Sequence, residues 1–433
     1  KGKPGTDRKA PFASVASATS LPTFQFTGRM RGNLSMATGQ PASLDERLLG
    51  PVTNVADFIW GGTWNGEQLI PIPPLAVILL GAGLWFMIGL RLYPVTNFGA
   101  AVKNLFAGRK GEGKGEISPF AALSTALSGQ VGTGNLAGVA TAIALGGPGA
   151  IFWMWVTALF GMALAFAEGA LAIRYRETTS DGVYRGGPMS YIMMGLGPKW
   201  TWLAIFFCFG TLVSGLVTGN AIQANAVADG LNELFGIEEW LGGLIVAILV
   251  FIVIIGGIKR IAQTAEKIVP LMCALYLAAC LFILLRHFGD IPAAFAKIID
   301  SAFNPGAAWG GFIGVLVTGF KRAAFSNEAG VGSAAIAHSA ARTKYPVREG
   351  IVSLLEPFID TIVVCTMTGL VIVITGHYEG GAMAEVAAPF AADNNGAGLT
   401  SAVFGSEISW FPYLLSAAVV LFAFSTMISW SYY

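Results

Sequence analysis

The feature that most constrains this chain is a series of apolar stretches, each about as long as a bilayer is thick. A helix needs about 20 apolar residues to cross the hydrocarbon core. We predict a membrane-spanning helix from each of nine stretches: 74–92, 119–144, 150–172, 201–224, 240–257, 268–286, 309–340, 350–376 and 410–432. The chain is 54% hydrophobic and only 12% charged, which is half the charged fraction usual in soluble domains. The sequence therefore predicts an all-α polytopic membrane protein in contact with the lipid bilayer.

The same composition argues against several other classes of protein. A net charge of +1 without a basic face argues against a nucleic-acid partner. The four cysteines all lie in apolar stretches, with spacings that suit neither zinc nor a disulfide framework. The three histidines are scattered, so neither a histidine-based metal site nor a catalytic triad is expected. We predict that the chain is not an enzyme, and no feature indicates an obligate protein partner.

The first residues differ in composition from the rest. Residues 1–43 contain six Lys or Arg and one Asp among many Ser, Thr, Gly and Pro. Such a segment cannot bury enough apolar surface to fold alone, although an organelle transit peptide has a similar composition. We expect a disordered basic leader at 1–48 and a membrane domain at 49–433.

The Lys and Arg between the stretches predict an orientation. The connections after the first, third, fifth and seventh stretches contain five, four, three and three of them. The connections after the second, fourth, sixth and eighth contain none, none, two and none. Because basic residues accumulate on the cytoplasmic side, the first set of connections is cytoplasmic and the N-terminus lies outside.

Two stretches, the second and the seventh, are longer than a bilayer requires and are interrupted by glycine and polar residues. If 74–92 is an extra helix, five stretches form a first repeat at 119–286, and the seventh begins a second repeat at 309–433. Because five is odd, the second repeat enters the membrane in the opposite sense. Interrupted helices at matching positions of two inverted repeats indicate a transporter binding site near the midplane. The second repeat shows three stretches, so we predict that it is incomplete and C-terminally truncated.

The first interruption reads SGQVGTGNLAG over Ser128–Gly138. Unwinding at glycine frees backbone amides that suit a carboxylate and carbonyls that suit a cation. A zwitterionic amino acid bound together with Na⁺ would use both. Close helix packing through small residues is the alternative, but four glycines in this segment, with Gln130, Thr133 and Asn135 between them, exceed what packing requires.

The second interruption reads FSNEAGVGS over Phe325–Ser333, and Lys321 and Arg322 precede it. Charges at membrane depth require a partner or a wet cavity. For Arg322 we predict a buried ion network with Glu356 and Asp360, which lie one helical turn apart. Ser326 and Asn327 are predicted to belong to the binding site.

Two further polar groups lie in apolar helices. Ser425 and Thr426 place neighbouring hydroxyls near the end of the chain. Alone they are explained by bonds to the preceding turn, but beside the first interruption an oxygen-only cation site is the better interpretation. Gln223 suits ligand binding and helix–helix bonding equally.

Three segments resemble the alanine-or-glycine:cation symporter family. They are Ala126–Gly149, then Phe325–Gly330 followed by Ala337 and His338, and Phe422–Thr426 with Trp430–Tyr433. The resemblance extends from about Leu49 to Tyr433. It implies a five-plus-five inverted-repeat (APC/LeuT-like) transporter fold with one extra N-terminal helix, located in a plasma (inner) membrane.

The resemblance also implies a function and a set of site residues. It implies Na⁺-coupled uptake of alanine or glycine, small neutral amino acids, by alternating access. The substrate carboxylate would meet the backbone at Thr133 and Gly134, with Asn135 beside it. The pocket would be shaped by Gln223, Phe325, Ser326 and Trp430. Sodium would be held by carbonyls of Ser128 and Val131 and by hydroxyls of Ser425 and Thr426.

Three other functions are weighed against this one. An ion channel would require rings of carbonyls or charges from several subunits around one pore. A proton-coupled amino-acid carrier is possible because Glu328 is a carboxylate at membrane depth. An intramembrane enzyme would require a nucleophile–base pair or metal ligands, for which the sequence shows no suitable spacing.

Overall fold

A computed structural model describes residues 44–107, 111–303, 309–392 and 395–433. Within these ranges the chain is almost entirely helical, as an all-α membrane protein should be. The strands within these ranges form two short hairpins, Thr63–Trp64 with Glu67–Gln68 and Glu177–Thr178 with Tyr184–Arg185. The predicted leader falls mostly outside the described residues, and a helix at Leu44–Gly61 crosses its predicted boundary at residue 48.

Helices occupy all nine predicted stretches. The matching α-helical and π-helical segments, in chain order, are Pro74–Gly89, Pro119–Gln130, Gly134–Gly138, Val139–Gly146, Gly149–Arg174, Thr201–Ser214, Gly215–Ala221, Ile222–Phe235, Glu239–Ile254, Gly257–Arg286, Trp309–Asn327, Ser333–Ser339, Pro346–Ser353, Leu355–Pro357, Phe358–Cys365, Thr366–Ile374 and Phe411–Trp430. Five uninterrupted helical runs in the described ranges are long and apolar enough to cross a membrane. They support a multi-pass membrane protein, as predicted.

Shorter helices connect these segments. They are Tyr93–Thr96, Phe98–Ala107, Pro188–Tyr191, the π-helix Ile192–Leu196, the 3₁₀ turns Pro198–Trp200 and Phe288–Asp290, and the helices Ile291–Phe303, Ala384–Ala392 and Gly396–Glu407. Ile291–Phe303 is amphipathic, because Ala294, Ile298 and Ala302 are buried at a spacing of four residues. The helices Ala384–Ala392 and Gly396–Glu407 lie where the sequence indicated only an extracellular connection.

The helix Gly149–Arg174, which we call the central helix, organises the interior. It contacts Pro346–Ile374, which we call the acidic helix because it contains Glu349, Glu356 and Asp360. Their backbones approach closely: a Cβ at Gly350 would overlap the carbonyl of Phe166 in the central helix. Small residues at crossings are how membrane helices gain packing energy in the absence of a hydrophobic driving force.

Candidate functional site

The first break lies at residues 131–133, between the helical segments Pro119–Gln130 and Gly134–Gly146. The Ser118 hydroxyl caps the first segment by accepting from the Ala121 amide at 3.1 Å. The backbone leaves helical geometry at Val131, where ψ is 96°. The Gly132 amide then donates to Oδ1 of Asn135 at 2.9 Å. One freed amide is therefore satisfied by a side chain on the next turn.

Threonine hydroxyls from neighbouring helices donate hydrogen bonds to two backbone carbonyls just after the first break. The Thr368 hydroxyl donates to the carbonyl of Asn135 at 3.0 Å. The Thr400 hydroxyl, on the short helix Gly396–Glu407, donates to the carbonyl of Leu136 at 3.1 Å. Irregular backbone at membrane depth is tolerated only where protein or a cavity surrounds it. These two threonines supply part of that surrounding protein.

The second break lies at residues 328–332, between Trp309–Asn327 and Ser333–Ser339. Glu328, Gly330 and Gly332 have φ of +52°, +88° and +97°, so three of its five residues are left-handed. The amides of Gly330 and Gly332 donate to the carboxylate of Glu168 in the central helix. At this break a carboxyl group of the protein itself accepts from the freed amides.

Asp360 connects the two breaks. One of its oxygens accepts from Asn135 Nδ2 at 2.6 Å, and the other accepts from the Ser326 hydroxyl at 2.7 Å. Asn135 Nδ2 and Ser326 Oγ are themselves 3.1 Å apart. All three side chains are at most 1% exposed. The predicted site residues Asn135 and Ser326, 191 positions apart in sequence, therefore share one carboxylate.

The predicted ion network of Arg322 with Glu356 and Asp360 is wrong. Across the part of the chain that the structure describes, Arg322 forms no ion pair with either carboxylate. Glu356 instead accepts from Gln130 at 2.7 Å and lies 2.5 Å from Nε2 of His338. The histidines are scattered in the sequence, but the helix Ser333–Ser339, which follows the second break, places His338 against the acidic helix.

Arg176, just beyond the central helix, fixes the far end of the second broken segment. Its guanidinium donates to the carbonyls of Ser339 at 2.9 Å and of Ala341 and Lys114 at 2.7 Å. Burial lowers the pKa of Arg176, although a guanidinium remains charged in proteins. A cation at a helix C-terminus is electrostatically favourable.

The residues predicted to hold sodium lie together. The Ser128 hydroxyl donates to the carbonyl of Ser425 at 2.7 Å, and the Ser425 hydroxyl lies 3.4 Å from the carbonyl of Ser128. The Thr426 hydroxyl donates to the carbonyl of Phe422 at 3.0 Å. It also lies 3.0 Å from the position of a Cβ at Gly132, next to Val131. Hydroxyl and carbonyl oxygens of this kind fit a hard monovalent cation, although Met272 Sδ, 3.4 Å from the Ser425 hydroxyl, adds a softer neighbour.

The pocket residues fall into two groups. A Cβ at Gly134 would lie 3.6 Å from Cδ1 of Phe325 and 3.7 Å from Cα of Ser326. The two breaks therefore face each other here, beside Thr133. Phe325 is 49% exposed, so its ring is available to a ligand.

The second group surrounds Trp430. Its ring packs directly on Gly219, where a Cβ would overlap it, and lies 5.4 Å from the ring of Tyr433. Gln223, one turn after Gly219, is 7% exposed, and its Oε1 has no partner among the described residues. The Trp430 side chain also interacts with Glu328 at the second break.

Comparison with known proteins gives a consistent match. The model of the sodium:alanine symporter family matches residues 62–433. The chain is 42% identical over 386 residues to the sodium/alanine symporter AgcS of Methanococcus maripaludis, covering 88% of this chain and 81% of that protein. It is 39% identical to the putative sodium/proton-dependent alanine carrier protein YrbD of Bacillus subtilis, covering 83% and 74%. It is 37% identical to the probable sodium/glutamine symporter GlnT of the same organism, covering 83% and 73%.

Proposed function

The chain belongs to the sodium:alanine symporter family, whose members are transporters rather than enzymes, and we propose that it couples Na⁺ entry to the uptake of alanine and glycine. As a cation-coupled amino-acid symporter it must bind a cation and an amino acid in contact with the same movable structure. The chain would do so in the plasma (inner) membrane with its N-terminus outside, as the distribution of basic residues predicts.

One observation carries the proposal: candidate ligand-binding side chains face the first break from two different directions. On one side, the first break faces the hydroxyls of Ser425 and Thr426 in the helix Phe411–Trp430. Towards the second break it faces Phe325 and Ser326. A cation on one side and an amino acid on the other would both contact the same few residues of backbone. Binding of either would favour the backbone geometry that the other requires, and this shared geometry is a physical basis for coupling.

In this proposal each site residue has one role. Amides at Thr133 and Gly134 bind the substrate carboxylate, because the neighbouring Gly132 amide is already bonded to Asn135. Phe325, Trp430 and Gln223 limit the space for the side chain. Sodium is held by carbonyls of Ser128 and Val131 and hydroxyls of Ser425 and Thr426, and it supplies positive charge that stabilises the unwound backbone. Asn135 and Ser326 position the two breaks through Asp360.

The proposed architecture is a pair of inverted repeats that exchange access between the two sides of the membrane. The first repeat is 119–286, the second begins at 309, and 74–92 is an additional helix. Each repeat opens with one of the two breaks, which is the arrangement found where transporters bind substrate between repeats.

A second candidate is proton coupling. Two features favour it: the Ser333 hydroxyl donates to Glu328 at 2.5 Å within the second break, and His338 lies buried between two carboxylates. Carboxylates at membrane depth are common proton carriers.

Uptake of labelled alanine into liposomes containing the full-length protein distinguishes the candidates. An inward Na⁺ gradient should drive accumulation, and replacing Na⁺ by choline should abolish it. Unlabelled alanine and glycine should compete, serine weakly and leucine not at all. Accumulation without sodium that follows an imposed pH gradient would overturn Na⁺ coupling in favour of proton coupling.

A further inference from the structure

A fully buried charge cluster lies beside the first break and has no role in the proposed binding sites. Nδ1 of His338 is 2.7 Å from Glu349 and Nε2 is 2.5 Å from Glu356. All three side chains are at most 1% exposed. Both contacts are hydrogen bonds only if the ring carries a proton on each nitrogen, or if a carboxyl carries one. With a charged ring and two carboxylates, the cluster has one uncompensated negative charge.

Further acidic groups surround this cluster. Arg176, which interacts with Glu349, opposes its negative charge. Four groups on the elements packed around Glu356 interact with it electrostatically: Glu168 on the central helix, Glu328 at the second break, Asp360 one turn along the acidic helix, and the phenol of Tyr433. Several carboxylates with so little compensation cannot all be ionised inside a membrane protein. This group of carboxylates, to which the cluster belongs, therefore retains at least one proton.

Gln130 links the cluster to the break. Its Nε2 donates to Oε2 of Glu356 at 2.7 Å, and it is the last residue of the helical segment before Val131. Within the described residues, its Oε1 and Oε2 of Glu349 are buried without a partner. An amide offers a donor on one side and an acceptor on the other. Rotation of the amide would therefore let Gln130 donate to an ionised Glu356 or accept from a protonated one.

We propose that the His338–Glu349–Glu356 cluster is a proton-binding site whose occupancy is read by Gln130 and opposes Na⁺ binding at the first break. The inference rests on the proposed Na⁺ coupling. The ionised cluster holds Gln130 through a charge-assisted bond, which is stronger than a neutral one, and adds negative potential near the cation. When the cluster binds a further proton, that bond weakens, the amide turns, and the negative potential is lost. Sodium affinity then falls with decreasing pH, and Na⁺ binding releases protons, because linkage is reciprocal.

The experiment measures Na⁺-dependent binding of labelled alanine to the purified full-length protein from about pH 8.5 to about pH 5.5, on both sides of physiological pH. The half-saturating Na⁺ concentration should rise by about fivefold or more as the pH falls, a typical coupling between sites. In weakly buffered solution with a pH-indicator dye, adding Na⁺ should release protons, whereas choline should release none.

Three variants test the residues. Glu356→Gln resembles the protonated carboxyl, so its sodium curve should be shifted to higher concentration and should no longer depend on pH. Gln130→Met keeps the side-chain length but lacks the amide that bonds to Glu356. This variant should therefore also lose the pH dependence of the sodium curve. Glu112→Gln is the control, because Glu112 pairs with Arg348 at 3.0 Å near the surface; its sodium curve should follow wild type.

The outcomes separate this inference from the proposed function. If alanine binding never depends on Na⁺, the proposed function fails first. If binding depends on Na⁺ but the wild-type curve does not move with pH, the proton site is wrong. If the wild-type sodium curve shifts with pH and the curve of Gln130→Met shifts by the same amount, the link through Gln130 is wrong. A Glu356→Gln protein that does not fold leaves the wild-type curve and Gln130→Met as the deciding measurements.

Discussion

The two breaks contain similar sequences, but the structure uses their glycines differently. At the second break Gly330 and Gly332 are left-handed, and a Cβ on Gly332 would overlap Pro188. At the first break Gly132 and Gly134 are not left-handed. A Cβ on Gly134 would meet only ordinary contacts, the nearest at 3.6 Å. The second break needs glycine for its backbone conformation, whereas the first break has room for a side chain at Gly134.

The freed amides differ in the same way. Glu168 provides the second break with a carboxyl group from within the protein. The first break receives an amide oxygen from Asn135 and no carboxylate at Thr133 and Gly134 among the described residues. Because freed amides favour an anion, a substrate carboxylate would do at the first break what Glu168 does at the second. One break is therefore a fixed support, and the other is the proposed binding surface.

The largest expected effect is on folding, from Gly332→Ala. The left-handed φ of +97°, the overlap with Pro188 and the tight contact with Phe207 should together destabilise the protein by about 3 kcal/mol or more. Thermal unfolding of the purified variant, followed by fluorescence, should show the loss. Unchanged stability would mean that the second break is not a fixed support.

Glu168→Leu should have the next largest effect. It leaves the amides of Gly330 and Gly332 without their acceptor, and at Gly332, which is buried, this loss costs about 1–3 kcal/mol. The melting temperature should fall while Na⁺ and alanine binding by the folded fraction persist. Glu168→Gln retains one acceptor oxygen and should lose less. If both variants keep wild-type stability but lose alanine binding, Glu168 belongs to the binding site instead.

Gly134→Ala should leave folding intact, to within about 0.5 kcal/mol, but weaken alanine binding by about tenfold or more, roughly 1.4 kcal/mol. The added methyl occupies space that the protein leaves open and keeps a carboxylate from the backbone. The matched control is Gly138→Ala, since a Cβ there meets nothing within 4 Å, and it should bind alanine as wild type does. Equal affinity in Gly134→Ala would remove the pocket from this break.

The sequence predicts an all-α membrane protein and the positions of its long helices, because long apolar runs are local signals, whereas the inverted repeat stays a prediction. The partners of Asp360 and Glu356 could not be read from spacing, since Asn135 and Gln130 lie more than 200 positions away. The helix Gly396–Glu407 was also missed, because its sequence is short and rich in glycine.

The smallest expected effect tests the other side of the first break. Thr426→Ala removes a hydroxyl that lies 3.0 Å from the Cβ position of Gly132. Its own bond to the carbonyl of Phe422 is an ordinary bond to the preceding turn, so stability should hardly change. If the hydroxyl is a sodium ligand, the half-saturating Na⁺ concentration for alanine binding should rise by about fivefold, roughly 1 kcal/mol, while the preference for alanine over leucine stays. Ser416→Ala, which removes a similar bond to Pro412 on the same helix, is the control. If the half-saturating Na⁺ concentration rises equally in both variants, the Thr426 hydroxyl only bonds within its helix. The candidate sodium ligands would then be Ser128, Val131 and Ser425.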